Sequence, residues 1–284
     1  MSTEITLNGT IVKKHNMLIR TEIDIRSVIA SRALALLISC ISTEDTDFKE
    51  EYKVSINPLI QNNNGGKDYE EIDNACDDLA KALALVDVGN GNGKKRYPFF
   101  RMVQYKEGHI YAQFNDLLKP LLLNLQGMFT QYSLAEYLAL NSLYSQRIFE
   151  IIKSIERLGT FDMDIEDLHD YIKAPPSMRK DFSRLRTRVL DKAVKDILDI
   201  ANYKFKWEAI YKGNRVDKIR FITSKKRKAV VEAKERKKEI VKQSKDNNLI
   251  FQRAMTCYEG KKGERCFGSN NETCRICLKL IQEI

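Results

Sequence analysis

Histidine is scarce in this sequence. Only His15, His109 and His169 occur among 284 residues, each isolated from the others. A metal-dependent nuclease of the rolling-circle kind needs a His-hydrophobic-His pair and a tyrosine nucleophile, and no such pair is present. No Ser-His-Asp grouping and no paired-acid pattern stands out. The run Gly89 to Lys94 is one residue short of a phosphate-binding loop, and Lys95 stands where a magnesium-holding Ser or Thr belongs. It reads as a loop before a hairpin. The expectation is a protein that is not an enzyme, requires no cofactor and works through binding.

Long apolar runs are missing as well. The longest, Ala33 to Ser39, is far too short to span a bilayer, so no membrane partner is expected. The start of the chain lacks a charged segment followed by an apolar one. Six cysteines without such a signal point to a reducing cytoplasm.

What the chain has is length for two domains and a lopsided charge. Residues 1–200 carry 26 Lys and Arg against 29 Asp and Glu, whereas residues 201–284 carry 22 against 10. The overall charge of +9 is therefore a property of one end. A polyanion met at that end is the partner this favours, although a basic tail can also be merely solubilising.

The stretch from Ser177 to Ser224 organises the rest. Phe182, Leu185, Val189, Ala193 and Ile197 recur at intervals of three and four, the stripe of an amphipathic helix. A regular helical wheel puts Arg184, Arg188 and Lys195 opposite that stripe, with Thr187 and Asp191 beside them and Arg186 toward its apolar edge. Two strand-like runs follow, Tyr203 to Tyr211 and Arg215 to Ile222, joined by Lys212-Gly213-Asn214. A core-anchored helix with an arginine face and a two-stranded wing is the layout of a winged-helix DNA reader. The alternative is a surface helix with a solvated charged face beside an ordinary hairpin.

Earlier in the chain the same order occurs. A helix from about Ile25 to Ile41 precedes a short strand, Tyr52 to Ile56. Tyr69, Ile72, Cys76, Leu79 and Leu83 then mark a second amphipathic helix, and Phe99 to Tyr105 pairs with His109 to Phe114 as a hairpin. Two copies of one unit are expected, an α+β fold of tandem winged-helix domains at 1–122 and 123–224. Residues 117–132 read as a helical connector, and 133–158 as one long helix capped by Ser133 and Glu136. The copies differ in charge. The first carries Glu70, Glu71, Asp73, Asp77 and Asp78 on its exposed face, which phosphate would repel. That surface suits a protein partner or contacts through the wing only.

Residues 225–284 form a tail. Its first part is basic and helix-prone, either solvated or a phosphate-binding extension. Its end holds Cys257, Cys266, Cys274 and Cys277. Four thiolates, two of them three positions apart, suit a structural zinc ion, which would supply folding energy to a segment poor in apolar residues. The wide spacing of the first pair leaves four free thiols as the other reading. Cys40 and Cys76 lie on apolar helix faces and read as core.

LYSQRIFEIIKSIERLG, then FDMDIEDLHDYI, then DFSRLRTRVLDKAVKDI, then a basic hairpin ending KIRFI resemble the iteron-binding plasmid replication initiators. KKHNMLIRTEIDIRSVIASRALALLISCI followed by YKVSI is similar to that family's opening. The resemblance runs from residue 10 to about 224, and its most specific part is the ordered pair Tyr144–Leu158 and Phe182–Ile197. It implies two winged-helix domains that bind double-stranded DNA at tandem origin repeats, help to open AT-rich DNA and recruit a host replicative helicase or initiator proteins. It also implies a switch between a homodimer that represses its own gene and a monomer that initiates. The major-groove role falls on Arg184, Arg186 and Arg188, with Arg179 and Lys180 near phosphates at the helix start and Lys195 further along. Lys204, Lys206, Lys212, Arg215, Lys218 and Arg220 are the wing candidates, of which alternation lets only some face DNA. A twin winged-helix transcriptional regulator without initiator activity remains the alternative, and a protein-interaction module with an incidental basic tail a weaker third.

Overall fold

The computed structural model describes residues 9–223, apart from 43, 61–65, 88–92 and 126. The chain opens with β1 (Ile11–His15), α1 (Asn16–Ile19) and β2 (Glu22–Ile23). Then come α2 (Val28–Ser39), β3 (Tyr52–Ser55), α3 (Gly66–Ala80), β4 (Leu83–Asp87), β5 (Lys94–Pro98), β6 (Phe100–Lys106) and β7 (His109–Phe114). A 3-10 turn at Asp116–Leu118 leads into α4 (Lys119–Leu122), β8 (Phe129–Ser133) and α5 (Leu134–Ala139). The last part holds α6 (Leu143–Ser154), β9 (Thr160–Asp164), α7 (Ile165–Tyr171) and α8 (Pro176–Arg179). There α9 (Phe182–Leu185) continues through a π-helical turn (Arg186–Leu190) into α10 (Asp191–Ala201), and β10 (Phe205–Lys212) and β11 (Arg215–Thr223) follow.

The expected duplication is present strand for strand. In the first copy β3 pairs with β7, and β7 with β6; in the second β9 pairs with β11, and β11 with β10. Each time the short strand after the leading helix joins the far arm of the hairpin; in the first copy the helix between them, α3, packs against β6. Both hairpins close in two residues. Glu107 (φ 50°) and Gly108 (φ 71°) both take the left-handed conformation that a tight type I′ turn demands. Between α3 and β6 the first copy carries an addition that the periodicity did not suggest. Its β4 and β5 form an antiparallel pair that β2 extends.

The stretch read as one helix over 133–158 is two helices. Ser133 caps α5 as expected, accepting from the Glu136 amide at 3.4 Å. The helix then stops because the Leu140 carbonyl is claimed by side chains, Arg32 Nη2 at 3.2 Å and Gln146 Nε2 at 2.9 Å. Ser142 caps the new helix α6, accepting from the Ser145 amide. The region read as a helical connector ends in a strand, β8, which pairs with β1 from Ile11 opposite Ser133 to His15 opposite Phe129. The expected division at 122/123 thus falls between α4 and a strand that shares its sheet with the start of the chain.

α2 is buried on almost every side from Ala30 to Ile38, as a helix with an apolar circumference must be. Its N-terminus is held by Ser27, whose hydroxyl accepts from the Ala30 amide, and by Asp78 of α3, whose carboxylate accepts the Ser27 amide at 3.0 Å. α6 is the counterpart in the second copy and packs against the helix over 182–201.

Candidate nucleic-acid interface

The helix over 182–201 begins at Asp181, whose side chain accepts from the Ser183 amide at 3.0 Å. Leu185, Val189, Leu190, Ala193 and Ile197 are buried, and Phe182 is half-buried. Burying the larger of these is worth about 1.5–3 kcal/mol each, enough to fix which face looks inward. Ser145 of α6 adds a polar tie, donating to Asp196 at 2.6 Å.

The π turn changes what the other face presents. An α-helix turns about 100° per residue, so three consecutive residues spread over about 200°. A wider turn compresses that arc. Two neighbours, Val189 and Leu190, are therefore both buried, and Arg186, Thr187 and Arg188 are all exposed in succession. Arg186 lies on the free face, away from the apolar edge where a regular helical wheel puts it.

The basic side chains fall into two groups. Arg184 pairs with Asp181 at 3.1 Å, and Arg186 with Asp191 at 3.3 Å. Arg179 donates to Asp170 at 2.7 Å and to the Ala174 carbonyl at 3.1 Å, which ties α8 to α7. Lys218 and Arg220 lie on the outer sheet face opposite Asp164 and Asp162, at 2.8 and 2.7 Å. The bidentate Arg220 bond holds the Asp162 carboxyl below its usual range. That face is a neutral charge ladder across three strands. Lys180, Arg188, Lys195, Lys206, Lys212 and Arg215 are exposed and make no ion pair with any described residue. Lys212 and Arg215 flank the wing tip, where Gly213 takes φ 62°. Lys204 is exposed just before β10.

Sequence reasoning missed three features here. Lys192 is exposed on the same face but pairs with Asp196 at 3.0 Å. Asp191 receives both Arg186 and the Trp207 indole N–H, the latter at 3.2 Å. Lys95 and Arg96 are exposed on β5; the signal was the run Lys94 to Pro98 mirroring Leu83 to Asp87 across the glycine-rich segment.

In the first copy α3 occupies the equivalent place with the opposite charge. Glu70, Glu71, Asp73 and Asp77 are exposed, and Lys81 pairs with Asp77 at 3.4 Å. The three histidines all have local partners: His15 caps α1, His109 bonds the Glu107 carbonyl, and buried His169 lies 3.6 Å from Glu166. No described helix is long and apolar enough to cross a membrane. Cys257, Cys266, Cys274 and Cys277 lie outside the described residues, as does the basic segment before them.

Both halves match family models. The WH1 domain of the initiator replication protein matches residues 11–153, and the WH2 domain of the initiator Rep protein matches residues 164–223. The chain belongs to the initiator replication protein family. The twin winged-helix architecture of this initiator is shared by a solved structure, the Pi initiator protein in complex with iteron DNA. The two superpose with a TM-score of 0.60 at 16% identity, over 76% of this chain and 98% of the other. No curated protein matches the sequence significantly.

Proposed function

We propose that this initiator binds tandem repeats in the double-stranded origin DNA of a plasmid, with the helix over 182–201 in the major groove and the β10–β11 wing along the backbone. The reading rests chiefly on one observation. The WH2 match spans a helix whose buried stripe leaves Arg184, Arg186, Thr187 and Arg188 exposed together. Arg188, Lys195, Lys206, Lys212 and Arg215, which pair with no described residue, supply phosphate contacts. The surface pair of Arg184 with Asp181 is worth about 0–1 kcal/mol and exchanges readily for DNA. Binding energy deforms the origin and helps it to open, and no catalytic step or cofactor is needed. The acidic α3 of the first copy stays clear of phosphate and serves a protein partner, a host replicative helicase or initiator protein. A homodimer on its own promoter represses the gene.

Gel-shift titration against DNA flanking the protein's own gene tests the binding. Expected are cooperative ladders on tandem repeats, weakened by salt and lost in Arg184→Ala/Arg188→Ala, and unaffected by a chelator of free divalent metal. A single shifted band at an inverted repeat would instead make the chain a regulator. Binding indifferent to salt would sink the DNA reading altogether.

A further inference from the structure

Asp191 is a carboxylate set directly among the exposed cations Arg186, Arg188 and Lys195. It follows the π turn directly, and its side chain is about half exposed. Its Oδ2 accepts from Nε of Arg186 at 3.3 Å, and its Oδ1 accepts the indole N–H of Trp207 at 3.2 Å. Trp207 sits on β10 with its ring edge-on to Phe182, the centroids 6.2 Å apart. The carboxylate is thus held from the wing while it holds an arginine on the helix.

An anion beside a phosphate-binding face costs affinity through repulsion. A neutral acceptor such as Asn would hold Trp207 equally well. The surplus charge acts on Arg186. A guanidinium anchored through Nε keeps both Nη groups free, coplanar and parallel. Two parallel donors match N7 and O6 on the major-groove edge of guanine, whereas a phosphate accepts a mobile cation from many directions. Arg186 is immobilised before binding, so less side-chain entropy is lost when it docks. Arg184 is also anchored through Nε, by Asp181, but that carboxylate is accounted for by its cap of the helix. Asp191 lies within the helix and caps nothing. Arg188 has no such brace among the described residues and suits phosphate.

We propose that Asp191 is a positioning residue that braces Arg186 against a guanine edge, so that Arg186 reads sequence while Arg188 supplies charge. This rests on the DNA-binding reading above. The full chain first selects a preferred duplex from a randomised library. Each guanine of that duplex is then replaced in turn by 7-deazaguanine, which lacks the N7 acceptor. At one guanine the replacement is expected to weaken wild type about tenfold, and Asp191→Asn and Arg186→Lys less than about threefold. Asp191→Asn is also expected to bind unrelated duplex at least as tightly as wild type. A purely structural Asp191 predicts rescue by Asn, with wild-type sensitivity at every guanine, and that result overturns the proposal. Full sensitivity in Arg186→Lys does the same. If Asp191→Asn does not fold, Asp191→Glu, which keeps the charge but displaces it, must lose the same guanine. A wild-type chain that selects no sequence fails earlier and takes the DNA-reading assignment down with it.

Discussion

At the scale of single residues, an arginine's neighbours decide what it is for. Arg179 and Arg188 are both exposed cations near one helix and look alike in the sequence. Arg179 has its Nε on the Ala174 carbonyl and an Nη on Asp170, so its guanidinium joins α7 to α8. Arg188 pairs with no described residue. Arg188→Ala is expected to weaken DNA binding and to reduce the dependence of log affinity on log salt by about one unit, with the melting temperature unchanged. Arg179→Ala is expected to cost about 1 kcal/mol of stability and to leave the salt slope as in wild type. Thermal melts and binding isotherms at several salt concentrations separate the two. Equal salt slopes for Arg188→Ala and wild type would remove Arg188 from the interface. The sequence could nominate both arginines but not sort them, because Asp170 and Ala174 become partners only when α7 and α8 fold back on each other.

Among elements, the clearest signal was the hydrophobic stripe of the helix over 182–201, and its one irregularity was hidden. A stripe of Phe182, Leu185, Val189, Ala193 and Ile197 is satisfied by a regular helix. The extra buried position, Leu190, shows only when the core has room for it. The wing was legible as a hairpin with alternating residues, but the role of its basic face was not. That face is set by β9, which the sequence places 40 residues upstream of β10 and which brings Asp162 and Asp164 alongside. This ladder has a pH signature. Arg220 lowers the Asp162 carboxyl relative to the unfolded chain, so the pair's contribution is fully present above the unfolded value of about 4. The contribution is lost as pH falls through the lower, folded value. Asp162→Asn is therefore expected to be less stable than wild type at neutral pH, with the gap closing under acid. Urea midpoints at neutral and acidic pH measure it, and a gap that persists unchanged at low pH would mean the carboxylate's charge is irrelevant there.

For the whole molecule, the two winged helices are joined by a buried polar seam that periodicity could not reveal. β1 and β8 pair across more than a hundred residues of chain. On one side of α6, Arg147 donates to the Ile23 carbonyl of β2 at 3.0 Å, and Glu150 accepts from Lys14 of β1 at 2.6 Å and from Tyr132 of β8 at 2.5 Å. Near the start of the same helix Ser145 holds Asp196 of α10. α6 therefore links the helix proposed to read DNA to the first copy. Lys14 and Glu150 are both almost wholly buried, a situation that sequence patterns assign to apolar residues. Two charges out of water repay their desolvation only through each other. Glu150→Leu alone leaves the Lys14 ammonium buried without its counter-charge and is expected to cost about 3–5 kcal/mol, whereas Lys14→Met/Glu150→Leu removes both charges and is expected to recover most of that loss. Equilibrium urea denaturation of the two single variants and the double variant gives the coupling directly. If the double variant were as unstable as the sum of the singles, the pair would not act as a unit and the seam would owe its cohesion to Tyr132 and the surrounding core.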